Sequence, residues 1–217
     1  MSNKIAILIG ATGATGSELL KGLLNDDYFN NVVVFSRSRV EIDHQKLQVH
    51  IVDFDNTSSW SYLVKGDVLF SALGTTLKVA KTKANQYKID YTYQYQVAKA
   101  ASDNGVATYV LVSSYGADEN SFLFYPRTKG QLDVAVQKLL FKYVHIFRPG
   151  ILHRQSYKLL PVENISIFII NALNKIGLLM KQKPMPVKVL AEKMILVSKV
   201  NNTEKTQIHN LNAIFSI

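Results

Sequence analysis

Two tyrosines in this sequence are each followed by a lysine four positions later, Tyr95 by Lys99 and Tyr125 by Lys129. A tyrosine can exchange a proton with a reacting carbonyl if a neighbouring cation brings its phenol closer to ionisation. A lysine four residues further along a helix lies on the same face and can supply that cation. A chain of 217 residues with 11 tyrosines produces about one such spacing by chance, so the positions of the two pairs must decide between them.

Position favours the second pair. The pattern of residues predicts one long helix over Ala84–Asp103, and Tyr95 and Lys99 fall inside it, where the helix packs on the sheet. Tyr125 instead begins a helix that follows a predicted strand. Ligands of an open parallel sheet bind beyond the carboxyl ends of its strands, which is where this helix begins.

The strand before Tyr125 ends in Ser113 and Ser114, so a hydroxyl is predicted at the same edge of the sheet. We predict that Tyr125 is the catalytic acid/base, that Lys129 is the cation that serves it, and that Ser114 orients the carbonyl. Ser113 is the alternative for that last role. The same side chains could instead contact a cofactor without any turnover.

A glycine recurs at every third position directly after the apolar run Ile5–Ile9, and a helical pattern follows at once. Small residues there let the chain reverse tightly, let backbone amides approach a pyrophosphate and let the helix pack close to the strand. The start of the helix adds free N–H groups and partial positive charge. A glycine-rich turn that binds nothing is the alternative. We predict a dinucleotide site formed by Gly10, Thr12, Gly13, Ala14, Thr15 and Gly16.

The end of the second predicted strand indicates which dinucleotide is bound. NAD sites usually carry an acid there for the ribose 2′-hydroxyl, whereas this strand ends Phe35-Ser36-Arg37-Ser38-Arg39, with no acid before Glu41. An arginine can hold a 2′-phosphate through two hydrogen bonds. We therefore predict NADP(H), held by Ser36 and Arg37, and a solvated basic loop is the alternative.

Three other strand ends are predicted to reach the cofactor. Asp53 and Phe54 follow the third strand and face the adenine, with Asp53 accepting from the adenine amine. Leu73 and Gly74 follow the fourth strand, where Gly74 lets the backbone pass close to the cofactor. Pro149 follows the sixth strand and is expected to lie against the nicotinamide.

These positions depend on short β-branched runs that alternate with segments of helical period through about 150 residues. The alternation predicts an α/β fold with a doubly wound parallel sheet, Rossmann-like, in a single domain that ends in a short helical segment on the substrate side. The predicted strands are Ile5–Ile9, Val32–Phe35, Leu47–Val52, Asp67–Ala72, Tyr109–Ser113, Tyr143–Phe147 and Gln207–Leu211. Besides the long helix, the pattern predicts a first helix with Leu19, Leu20, Leu23 and Leu24 on one face. It also predicts helices at Asn56–Lys65, from Tyr125 or Pro126 to Phe141, at Asn164–Met180 and at Pro186–Val200.

Composition excludes several other classes of function. The net charge is +9 and there is no cysteine, but the lysines are scattered without the arginines and aromatics of a nucleic-acid surface. The histidines lack metal-ligand spacing. The longest apolar stretch, Ile165–Met180, is interrupted by polar residues and too short for a bilayer, and Ile5–Ile9 is too short for a secretory signal. We expect no nucleic acid, membrane or metal partner, and a cytoplasmic location.

On these motifs the chain resembles the atypical short-chain dehydrogenase/reductases of the Tat-interacting-protein-like group. The resemblance runs from residue 3 to residue 154, and more weakly from Pro186 to the end. Its most specific pieces are Leu73–Thr76 and Ser113–Asp118. The resemblance implies a Rossmann-like fold, NADP(H) binding and a Ser–Tyr–Lys site. Substrates in this group are mostly undefined, and some members act as regulatory partners of other proteins.

Two hypotheses follow. The first is an NADP(H)-dependent oxidoreductase that transfers hydride between nicotinamide and a small carbonyl or alcohol substrate. The second is an NADP(H)-binding sensor or scaffold without significant turnover, in which the state of the cofactor changes the affinity for a protein partner.

Overall fold

The computed structural model describes residues 3–153, 184–200 and 203–217. The predicted helix Asn164–Met180 lies outside these ranges. The strands in the described residues are β1 (Lys4–Ile9), β2 (Phe29–Ser36), β3 (Leu47–Ile51), β4 (Val68–Ser71), β5 (Thr108–Val112), β6 (Tyr143–Arg148), β7 (Leu152–His153), β8 (Met185–Pro186) and β9 (Thr206–Asn210). The α-helices there are α1 (Ala14–Leu24), α2 (Leu77–Ala80), α3 (Lys83–Tyr87), α4 (Gln94–Asp103), α5 (Phe124–Gln137) and α6 (Val187–Val197).

A seven-stranded sheet runs in the order β3-β2-β1-β4-β5-β6-β9, and every pairing in it is parallel. The predicted doubly wound fold is confirmed. The strand order reverses between β1 and β4, which both end at the same edge of the sheet. In such sheets that reversal opens the crevice where ligands bind. A separate short parallel pair is formed by β7 and β8.

The sheet is covered on both faces, as its continuous apolar strands predict. Side chains of β1 alternate between the faces: Ala6 and Leu8 join one apolar cluster, and Ile7 and Ile9 join the other. The first cluster is closed by α1 and α6, and the second by α4 and α5. The core therefore lies on both faces of the sheet, and the carboxyl ends of its strands lead into the loops that carry the predicted site residues.

The long helix predicted over Ala84–Asp103 is confirmed, because residues 83–103 are helical without a gap. It consists of α3, a π-helical segment at Lys88–Tyr93 and α4, and the short helix α2 precedes it. The predicted helix Asn56–Lys65 is instead two single 3₁₀ turns on either side of Trp60, which is fully buried and donates its indole N–H to the carbonyl of Asp53 at 2.9 Å. At Asn56–Lys65, contacts such as that of Trp60 with Asp53 have replaced local helix propensity.

Candidate functional site

The glycine turn joins β1 to α1, and close packing at the reversal of strand order explains two of its glycines. Gly10 has a φ of +83°, and a Cβ there would lie 2.5 Å from the backbone of Ala72, which follows β4. A Cβ on Gly16 would lie 1.9 Å from the carbonyl oxygen of Gly10. The turn is tied by a hydrogen bond from the Gly13 amide to the same carbonyl, at 2.9 Å. Any side chain at Gly10 or Gly16 would thus push α1 away from the sheet.

The start of α1 fits an anion. Gly13 caps the helix without a side chain, and its first turn contains no acidic residue. The N–H groups of a first helical turn lack partners within the helix and carry partial positive charge. Thr12 and Gly13 are exposed and Ala14 is half-buried, so these amides are accessible, whereas the Thr15 side chain is buried. The residues present therefore fit a pyrophosphate.

The end of β2 presents two guanidinium groups to solvent. Arg37 and Arg39 are exposed, and neither forms an ion pair with another residue in the described part of the chain. Ser36 is half-buried, and its hydroxyl oxygen accepts from the Ser38 amide at 3.3 Å. An accessible arginine beside a hydroxyl suits a phosphate monoester.

Asp53 and Phe54 follow β3 and are oriented differently. The carboxylate of Asp53 is exposed and accepts from the Asp55 amide at 3.0 Å. The ring of Phe54 is buried, with its centroid 5.7 Å from that of Trp60 and 5.4 Å from that of Tyr93. Asp53 is accessible to an adenine amine, whereas the Phe54 ring packs in the core against Trp60 and Tyr93.

Leu73 and Gly74 follow β4. Leu73 is half-buried against the second apolar cluster, and Gly74 is exposed. A Cβ on Gly74 would meet its nearest atom, Asp90 Oδ1, at 3.6 Å, an ordinary contact. Packing within the described residues therefore does not require glycine at this position, in contrast to Gly10 and Gly16.

Lys129 lies at the carboxyl end of β5. It is only 4% exposed, and its Nζ donates to the carbonyl of Val112, the last residue of that strand, at 3.1 Å. Tyr125 stands one turn earlier on α5 and is 39% exposed. Ser114 is half-buried directly after β5, whereas Ser113 is buried. A buried ammonium, an accessible phenol and a hydroxyl are thus carried by the end of β5 and the start of α5.

The other tyrosine–lysine pair lies elsewhere. Lys99 forms an exposed ion pair with Asp103 at 2.7 Å, and Tyr95 stacks on Tyr91 with ring centroids 5.9 Å apart. Both are explained by helix-surface contacts on α4.

Two buried carboxylates accompany Lys129, and the sequence patterns did not single out either. Asp90, in the π-helical segment, accepts from the Thr75 amide at 2.8 Å and from Gln86 Nε2 at 3.2 Å. Burial raises the pKa of Asp90, and the charge of Lys129 is the strongest influence that opposes the rise. Asp133 is fully buried on α5. Its spacing of four residues from Lys129 was the available signal, whereas nothing local marks Asp90.

Pro149 is buried next to the end of β5, and its carbonyl accepts from the Tyr115 amide at 2.9 Å. The preceding residue, Arg148, donates from Nε to Asp133 Oδ2 at 2.8 Å. The turn after β6 is therefore fixed to both β5 and α5. Among the described residues, no cluster could hold a metal ion, and no helix is long and apolar enough to cross a membrane.

Comparison with known proteins agrees with this geometry. Residues 10–158 match a protein family described as NAD(P)H-binding. The chain belongs to this NAD(P)H-binding family.

Its relatives include mitochondrial fmp52 proteins of fungi. It is 34% identical over 176 residues to "Protein fmp52, mitochondrial" of Emericella nidulans, a match that covers 78% of this chain and 76% of the relative. It is 38% identical over 164 residues to the protein of that name from Debaryomyces hansenii, covering 73% and 71%.

Solved structures share the fold at low identity. The enzyme WbmH of Bordetella bronchiseptica, in complex with NAD+, has a TM-score of 0.73 and 15% identity, over 95% of this chain and 75% of WbmH. A UDP-galactose 4-epimerase has a TM-score of 0.70 and 18% identity, over 95% and 76%.

The expectation of a cytoplasmic location is wrong, because the curated relatives are named as mitochondrial and point to that organelle. The sequence features behind the expectation spoke only against secretion and a membrane span, and neither bears on import into mitochondria.

Proposed function

We propose that this protein is an NADP(H)-dependent oxidoreductase that interconverts a small carbonyl compound and its alcohol. The observation that carries the proposal is the placement of Lys129. Its buried ammonium is bonded to the last carbonyl of β5, with Tyr125 one turn earlier on the same helix. This edge of the sheet is the one that carries the glycine turn, so a dinucleotide and a proton donor would meet there.

Each residue has a separate role in the proposal. The free amides at the start of α1 hold the pyrophosphate, and Arg37 holds the 2′-phosphate. When bound, the cofactor supplies a nicotinamide that gives or takes hydride. During reduction, Tyr125 gives its phenolic proton to the carbonyl oxygen, which becomes the hydroxyl of the alcohol, and the nearby Lys129 ammonium stabilises the phenolate that is left. Ser114 donates a hydrogen bond that orients the carbonyl.

The experiment is NADPH oxidation, followed by absorbance, with a panel of small aldehydes and ketones. Tyr125→Phe removes the proton donor and should lower kcat at least about a hundredfold. Tyr95→Phe is the matched control, because it removes the same hydroxyl from the other tyrosine–lysine pair and should leave kcat unchanged. Equal rates for the wild type and Tyr125→Phe would contradict the role of Tyr125.

A second candidate function, a cofactor-dependent sensor, is favoured by one observation. Phe122 is completely exposed and Leu123 is 52% exposed, both on the connection from β5 to α5. Exposed apolar side chains beside a cofactor site suit a protein partner whose binding depends on the cofactor. A partner recovered by crosslinking should bind with different affinity in the presence of NADPH, NADP+ or neither. Equal affinities would count against this role.

We also propose a mitochondrial location, carried over from the names of the relatives. A tagged full-length protein should co-fractionate with a mitochondrial marker in its own cells. Recovery in the cytosolic fraction alone would contradict the proposal.

A further inference from the structure

A buried ion pair lies one helical turn beyond Lys129. Asp133 is fully buried, and its Oδ2 accepts from Arg148 Nε at 2.8 Å. The other carboxylate oxygen, Oδ1, has no hydrogen-bond partner of normal geometry among the described residues, nor does the nearby Ser113 hydroxyl. Apolar residues can often replace such a pair without loss of stability. A contribution to stability therefore does not by itself explain why the chain has an ion pair at this position.

The pair connects the two elements that carry the candidate site. Asp133 lies on α5, which also bears Tyr125 and Lys129. Arg148 ends β6 and directly precedes Pro149, whose carbonyl is held by the Tyr115 amide. A shift of one partner would therefore move the lysine and the turn after β6 relative to each other.

Charge balance adds a second link. The cations here are Lys129 and Arg148, and the buried carboxylates are Asp90 and Asp133. Burial raises the pKa of Asp133, whereas the Ser113 hydroxyl, Arg148 and Lys129 favour its ionised form. Neutralising this carboxylate would leave positive charge in excess around Lys129, in a region where water screens little.

We propose that Asp133 is a positioning residue that holds the Lys129 ammonium and the turn after Arg148 in register at the cofactor edge. Its catalytic consequence rests on the proposed oxidoreductase function. Its effect on how the nicotinamide is held does not depend on that function, because a protein that binds NADPH contacts the cofactor whether or not it catalyses a reaction.

Three variants of the full chain separate positioning from stability. Asp133→Asn removes the charge with little change of shape. The double variant Asp133→Leu with Arg148→Met removes both charges and should recover the melting temperature. Asp103→Asn is the matched control, because it removes an exposed carboxylate from the analogous helical pair with Lys99.

The measurements are melting temperature, NADPH affinity, the fluorescence emission of bound NADPH and the rate with the best carbonyl substrate. We expect Asp133→Asn to bind NADPH at least about fivefold more weakly, with altered emission, and to lose at least about tenfold in kcat. The double variant should have the melting temperature of the wild type, but it should recover neither the NADPH affinity, nor the emission, nor the kcat of the wild type. Asp103→Asn should match the wild type in all four.

Recovery of affinity and emission together with melting temperature in the double variant would show a merely structural pair and overturn the proposal. If the wild type reduces no carbonyl, the proposed oxidoreductase function fails, and the cofactor measurements still decide the role of Asp133. In that case, the positioning role of Asp133 would be rejected if Asp133→Asn and Asp103→Asn had the same NADPH affinity and the same emission.

Discussion

Arg37 is the residue on which we expect the choice between the two nicotinamide cofactors to depend. It is exposed at the end of β2 and forms no ion pair with the described residues, so its guanidinium is available to a 2′-phosphate. Arg37→Ala should weaken NADPH binding by about tenfold or more, since charged hydrogen bonds contribute about 1.5–3 kcal/mol each, and should leave NADH binding nearly unchanged. Fluorescence titration with both cofactors checks this.

Lys65→Ala is the control for Arg37→Ala, because it removes one positive charge at the opposite edge of the sheet, before β4. It should change neither affinity by more than about twofold at physiological salt. Equal losses of NADPH and NADH affinity in Arg37→Ala would show that Arg37 does not hold the 2′-phosphate.

Two glycines of the candidate site differ in what an added methyl group would meet. In Gly16→Ala the new Cβ would fall 1.9 Å from the Gly10 carbonyl oxygen, so the free energy of unfolding should drop by at least about 2 kcal/mol. In Gly74→Ala it would meet only an ordinary contact at 3.6 Å, so stability should change by less than about 0.5 kcal/mol. Urea unfolding measures both.

The same Gly74→Ala variant tests the predicted contact with the cofactor. If the backbone passes close to the dinucleotide there, the variant keeps its stability but binds NADPH more weakly. Unchanged NADPH affinity would remove Gly74 from the site, and a large loss of stability would contradict the packing around it.

At the scale of residues, the sequence was sufficient to predict those site residues that are recognised by their immediate neighbours in the chain. The glycines follow a strand and precede a helix, and Lys129 follows Tyr125 at helical spacing, so both are visible in short windows. Asp90 was not predictable, because it is buried within the π-helical segment and its carboxylate accepts from the Thr75 amide, 15 residues earlier in the chain. The buried ring of Phe54 likewise depends on Trp60, which only the folded chain brings close.

At the scale of elements, β6 and β9 are joined by two histidines. The ring nitrogens His145 Nδ1 and His209 Nε2 lie 3.3 Å apart, and the rings stack with centroids 5.5 Å apart. Burial, and secondarily His209, lowers the pKa of His145 to about 4, and burial lowers that of His209 as well. A hydrogen bond between the rings needs one donor and one acceptor, so it opposes protonation of both rings, and burial disfavours a charge on either one.

The pair makes stability depend on pH with a defined sign. An unfolded histidine binds a proton below pH ~6.5, whereas the folded His145 resists it until about pH 4. The unfolded state therefore binds more protons in this window, and the stability that the neutral pair provides is lost as the pH falls from ~6.5 toward 4. The shift of His145 corresponds to roughly 3 kcal/mol over that range.

His145→Gln should flatten this part of the curve of unfolding free energy against pH, because glutamine does not titrate. His153→Gln, at an exposed position, is the control and should keep the slope of the wild type. Urea unfolding between pH 4 and 7 distinguishes the two. A wild-type slope in His145→Gln would mean that other groups cause the acid sensitivity.

Elements whose pattern follows from burial were predicted well. The run Val32–Phe35 falls within β2, and its residues are buried because helices cover both faces of a parallel sheet. The π-helical segment within the predicted helix Ala84–Asp103 and the shortening of Asn56–Lys65 to 3₁₀ turns were not predictable. The 3₁₀ turns depend on partners outside the local segment, such as the ring of Phe35 on β2, whose centroid lies 6.4 Å from that of Trp60.

At the scale of the whole molecule, the candidate site draws on the ends of β1 to β6, so a bound dinucleotide should stabilise the fold as one unit. A ligand that binds only the folded state adds about 2.7 kcal/mol at a hundredfold excess over its Kd, which corresponds to a rise in Tm of about 5–10 °C for a chain of this size.

Because we expect tighter binding of NADPH, it should raise Tm more than NADH at equal concentration. In Arg37→Ala the two shifts should become equal, while Lys65→Ala keeps the difference. No shift with either cofactor at millimolar concentration would contradict dinucleotide binding by the folded chain, and a larger shift with NADH would reverse the proposed preference.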